Sequence, residues 1–193
     1  MGSFYTSHTL RGPSQAEVLA FLKGRAAYVS HDERGFVTVL DEECESQDGA
    51  VLSRVGTQLS THFRCPVFAV LNHDDDILYF ELFEDGKKTD EYNSFPSYFD
   101  DGDDDDFEDG QANDDQPKGG NAQRLASVFG AADASKIEAV LRKGDYVFAS
   151  ERHGDLIAAL SLPSHSVGLG FTYAAAGDWS PEAASAGYVR TEG

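Results

Sequence analysis

The pattern of the chain predicts an α+β fold: an antiparallel or mixed sheet with helices packed on one face, then a short helical segment and a last strand. Three observations lead there. Runs with strand-like apolar patterning alternate with runs at helical spacing. Several strands are joined by turn residues alone, Asp85-Gly86 most plainly, which makes neighbours antiparallel. Apolar residues fill 40% and aromatics 11% of 193 positions, enough for a substantial core.

Ser3 to Leu10, rich in Thr, Tyr and Phe, reads as the first strand. Ser14 and Glu17 then stand at capping-box spacing, and Val18, Leu19, Phe21 and Leu22 give the following helix an apolar face that Gly24 ends. Ala26 to Ser30 and Phe36 to Leu40 form two strands around the turn His31-Asp32-Glu33-Arg34-Gly35. After Asp48-Gly49, Val51, Leu52, Val55, Leu59 and Phe63 recur at helical spacing. Val67 to Leu71 is almost continuously apolar, the mark of a central strand covered on both faces. Ile77 to Phe83 alternates, and Lys87 to Tyr92 reads as a polar edge strand guarded by its two lysines. Two β-α units near the start are compatible with a ferredoxin-like first half.

Residues 1–99 therefore form the sheet region, 100–118 an acidic insertion, and 119–193 a helical segment and final strand completing the same domain. In the last part, Asn121 and Asp133 cap two short helices, and Glu151 to Leu160 is a third. Val167 to Tyr173 reads as the last strand, and the tail from Ala174 should fray.

Charge is the strongest compositional signal. The net charge is −19, and residues 100–115 hold ten acids and no base, so the remainder carries −9. One large apolar residue, Phe107, cannot offset the entropy of ordering that run, so it is expected to be solvated. Such a balance disfavours nucleic acid and anionic membranes and favours basic proteins or cations. The first twelve residues lack a basic start and an apolar stretch, so no secretory signal is expected. Cys44 and Cys65 form no CxxC pair and read as buried free thiols.

Chemistry-bearing groups are few. Ca²⁺ binding of the EF-hand kind fails on spacing before Gly110, leaving diffuse cation condensation. His73 beside Asp74 and Asp76 is a metal or acid/base candidate at a strand end, although Asn and Asp are also ordinary turn residues. His31-Asp32-Glu33 contains H-x-E, but the P-C-x-x-C half of a zinc deaminase is missing. His8 reads as structural and His153, opening a helix, as a surface residue. Tyr92 to Phe99 carries four aromatics and a proline, either a sticky patch or an anchor pinning the sheet to the later helices.

The stretch CPVFAVLNHDDDILYFELFEDGKKTDEYNSFPSYFD and the later ERHGDLIAALSLPSHSVGLGFTY resemble a group of small uncharacterised bacterial proteins. The shared features are an apolar strand, an acidic turn, a strand ending in D-G, and D-E-Y-N-S before a variable insertion. The resemblance implies a bacterial, cytoplasmic protein and brings no functional residue with it.

These readings favour a non-catalytic, immunity- or antitoxin-like protein that turns Asp103, Asp104, Asp105, Asp106, Glu108 and Asp109 toward a basic partner. The alternative is a metal-dependent, hydrolase-like enzyme with His73, Asp74 and Asp76 as ligands and His31 nearby. A third reading gives the acidic run a role in solubility alone. No cofactor is expected beyond a weakly bound divalent cation.

Overall fold

The computed structural model describes residues 2–99 and 116–191. The chain runs through β1 (Tyr5–Arg11), α1 (Gln15–Phe21), β2 (Ala27–Val29), β3 (Phe36–Asp41) and α2 (Gly49–Phe63). A meander follows: β4 (Val67–His73), β5 (Ile77–Glu84) and β6 (Lys87–Asn93). Beyond the acidic run come β7 (Lys118–Gly119), α3 (Ala122–Phe129), α4 (Ala134–Arg142), α5 (Ala149–Leu160), α6 (Phe171–Ala176), α7 (Pro181–Ser185) and β8 (Val189–Arg190).

Among the described residues eight strands make one antiparallel sheet in the order β7-β6-β5-β4-β1-β3-β2-β8. The late strands β7 and β8 occupy its two edges, so both halves of the chain share the sheet. The near-continuous apolar strand β4 lies in the interior between β1 and β5, as its pattern requires.

Local signals act as expected at the helix ends. Ser14 and Glu17 make the capping box, and Asp48, Asn121 and Asp133 accept backbone N–H groups at the starts of α2, α3 and α4. α1 and α2 cover one face. There Val18, Leu52, Val55 and Leu59 meet Leu10, Val39, Val67 and Ala69. Helices were expected on one face only, yet the opposite face is covered too, by α3, α4 and α5, because Leu125, Ile137, Leu141 and Leu156 bury against Phe68, Val70, Phe80 and Tyr92. A third, smaller core at the β2 edge joins Leu40, Leu169 and Phe171. Among the described residues no helix is long and apolar enough to cross a membrane.

The C-terminal part departs from its sequence pattern. Val167 to Tyr173 is not a strand: a 3₁₀ turn at Ser164–Ser166 leads into α6. The cause lies far away in sequence. The Glu45 carboxylate accepts the backbone N–H groups of Phe171 and Thr172 at 2.9 and 3.2 Å, capping α6 from the segment after β3. Nor does the chain fray between Ala174 and Thr191. Trp179 packs against Tyr28 and Tyr188, and β8 pairs with β2.

Candidate functional site

The described segments on either side of the acidic run meet at one place. Lys118 pairs with Asn93 and Gly119 with Tyr92, at the β6 edge. The segment that follows β6 is a 3₁₀ turn, Pro96–Phe99. The candidate contacts Asp103, Asp104, Asp105, Asp106, Glu108 and Asp109 lie outside the described residues.

Beside this root stands the β4–β5 turn. Asp74 and Asp75 both adopt left-handed backbone, φ 50° and 61°, and Asp76 N–H returns to His73 O at 3.0 Å. Aspartate suits such a tight turn because its short polar side chain tolerates that region. Gly2 packs so closely on the turn that a Cβ there would fall 1.8 Å from Asp74 O. Asp75 then reaches α5: its backbone carbonyl accepts Ala149 N–H at 2.7 Å and its carboxylate accepts Ser150 N–H at 2.9 Å. The N-cap residue of α5, Phe148, offers no side-chain bond, so a distant turn supplies the cap.

This geometry sets the metal candidates beside aromatic rings. The His73 ring meets Phe4 edge-on at 4.9 Å and Tyr98 at 6.0 Å, while Asp76 Oδ2 faces the Tyr98 hydroxyl at 3.4 Å. Among the described residues no group of three or more His, Cys, Asp or Glu side chains is placed to hold a metal ion. His73 and Asp76 both stand against the Tyr98 side chain, and the Asp74 charge also acts on its hydroxyl. His31 is elsewhere, bonded through Nδ1 to Ala186 O.

The rings Phe4, His73, Tyr98 and Phe95 follow one another across this end of the sheet, the last pair 5.9 Å apart. With Asp74, Asp75 and Asp76 they make a surface of interleaved aromatic and acidic groups at the root of the acidic run. Two cavities flank the turn. One, of about 340 Å³, is polar and lined by Asp76, Ser94, Phe95, Gln116, Tyr146 and Arg152. The other, of about 740 Å³, is lined on the far side by Phe4, Asp75, Tyr173, Asp178 and Trp179.

Arg152 is 5% exposed. Its guanidinium donates to Tyr92 Oη at 2.7 Å and to the carbonyls of Val140, Leu141 and Lys143 at 3.1, 3.3 and 2.7 Å. These carbonyls close the C-terminal turn of α4, where a cation is favoured. Arg152 thus ties α5, α4 and β6 together behind the polar cavity, and Tyr92 is the anchor that the aromatic segment provides.

The buried titratable groups are committed to structure. Glu81, 1% exposed, accepts from Ser53, Tyr79 and Lys88. His8 bonds to Leu52 O, His153 to Tyr5 Oη, and His165 to Tyr188 Oη. Burial pushes all three imidazoles down, to about 4, 3 and 4. His153 is fully enclosed rather than on the surface, because Leu156, Ile157 and Leu160 point the same side of α5 into the core. Burial also pushes the Cys65 thiol up to about 11 and that of Cys44 further, which suits inert packing rather than nucleophilic work.

Sequence reasoning found the turn and the aromatic segment but missed Phe4, Tyr173 and Trp179, which only the folding of both termini brings beside them. Comparisons with protein-family models, curated proteins and solved structures return no match.

Proposed function

We propose that this chain is a non-catalytic module that binds a basic protein, in the manner of an immunity or antitoxin protein covering a basic site on its target. The observation that carries this reading is the pairing of the strands that flank the acidic run in sequence. Asn93 before it and Lys118 after it are partners at one sheet edge, beside the aromatic and acidic turn. A charge-rich segment so displayed steers a basic partner, and a rigid aromatic surface at its root provides the short-range contact. The net charge of −19 opposes nucleic acid as that partner.

The test is affinity capture from native lysate with the full chain and with a full-length form in which the ten acids of 100–115 are amides, each at low and high salt. The reading expects one basic protein, in stoichiometric amount, held by the native chain at low salt. Salt and the amide substitutions should each release it. Capture unaffected by both changes would overturn the reading, as would loss of solubility in the amide form with every captured protein retained.

A further inference from the structure

We infer that the cavity between Phe4, Tyr173 and Trp179 receives one arginine side chain of that basic partner. This rests on the reading above and adds to it a specific contact distinct from the acidic run. The cavity holds about 740 Å³ on the other side of the Asp74–Asp75 turn, and none of its lining residues is a lysine, arginine or histidine. Three aromatic rings and two carboxylates, Asp75 and Asp178, line it.

The parts are held from several directions. Tyr173 Oη accepts the Phe4 backbone N–H at 3.3 Å, joining α6 to the start of β1. Trp179 is braced by Tyr28 at 5.7 Å and Tyr188 at 5.5 Å. Phe4 is 39% exposed, a large ring left in water beside the cavity. Asp75 keeps one oxygen on Ser150 N–H, whereas Asp178 stands exposed at the rim.

A ring face attracts a cation through its quadrupole, and a carboxylate at the rim adds a charge-assisted bond. Arginine fits better than lysine. Its planar guanidinium stacks on Trp and Tyr while its fork engages a carboxylate, and it sheds water at lower cost than an ammonium. The acidic run attracts any polycation; this cavity selects among them.

Trp179 is the chain's only tryptophan, so the site carries its own reporter. The experiment titrates the full chain with hexa-arginine and hexa-lysine peptides at moderate salt, reading Trp179 emission and, in parallel, heat. The form with amides at 100–115 and the single variants Asp178→Asn and Tyr173→Leu are treated alike. Hexa-arginine should change the emission in both the native and the amide form, with hexa-lysine about fivefold weaker at that signal. Asp178→Asn, an exposed substitution that leaves the fold intact, should weaken the hexa-arginine signal about fivefold. Heat of binding without an emission change, equal response to both peptides, or an unaltered Asp178→Asn titration would each overturn the inference. The two readings fail separately. A silent tryptophan with partner capture lost on amide substitution removes only the cavity. A responsive tryptophan with capture indifferent to the acidic run removes only the steering role.

Discussion

The two faces of the sheet are built on different chemistry. Beneath α1 and α2 the strands present Leu10, Val37, Val39, Val67, Ala69 and Leu71, a continuous apolar layer interrupted by His8 and the satisfied carboxylate of Glu81. The opposite face carries two apolar cores, one over β4–β6 and one over β2 and β3. Between them, on β1 and β3, run Tyr5, Ser7, Thr9 and Thr38, all buried. Tyr5 bonds to His153 at 2.9 Å, and Thr9 to Thr38 at 3.3 Å. The contrast teaches that one sheet can be held by a nearly continuous apolar area on one side and by apolar area divided by a polar seam on the other. Area tolerates small shifts, whereas a polar seam demands that each partner arrive.

Acid should break the contrast most severely. The folded-state values of His8, His153 and His165 lie below the ordinary imidazole value, so the unfolded chain takes up protons first. Stability is therefore full above about pH 6.5 and falls as pH drops toward 4. The loss between pH 7 and pH 5 should be on the order of 4–6 kcal/mol, by urea melts at the two values. Two of the three protons belong to the polar face, so His153→Asn and His165→Asn should each remove about one proton from the slope. A flat profile over that range would contradict buried neutral imidazoles.

Next in size are substitutions that compare the faces directly. Leu52→Ala removes a fully buried side chain from the apolar layer and should cost about 3 kcal/mol. Tyr5→Phe removes no carbon, but leaves His153 Nδ1 without its partner and should cost about 1–3 kcal/mol. If Tyr5→Phe were neutral in thermal and urea melts, the seam would be a tolerated defect rather than a support.

The smallest effect separates two adjacent aspartates. Asp75→Ala loses the carboxylate that caps α5 and should cost about 1 kcal/mol. Asp76→Ala, exposed, should stay within about 0.5 kcal/mol. Equal costs would mean that neither the cap nor the left-handed backbone gives Asp75 its value.

Much of the fold was legible in local pattern. The capping residues Ser14, Asp48, Asn121 and Asp133, the hairpin Asp85-Gly86 and the buried central strand act within a few positions of themselves, so they could be read directly. The candidate site was legible only in pieces. His73, Asp74 and Asp76 invite a ligand reading because they are close in sequence, but among the described residues no group of three such side chains is placed to hold a metal ion. Histidines were the hardest to place, since His153 looks polar in sequence and its burial depends on Tyr5, 148 positions away.

What the sequence by itself determined is the class of fold, most elements through α5, the acid excess and where that excess enters and leaves the chain. These follow from periodicity, capping and composition, which need no distant partner. Tertiary structure alone decided that α6 forms where a strand was expected, because Glu45 reaches its first turn. It alone decided that Asp75 caps α5 and that Phe4, Tyr173 and Trp179 line one cavity. Each joins groups far apart in the chain, and such contacts become favourable only after the sheet has paid the entropy of bringing them together.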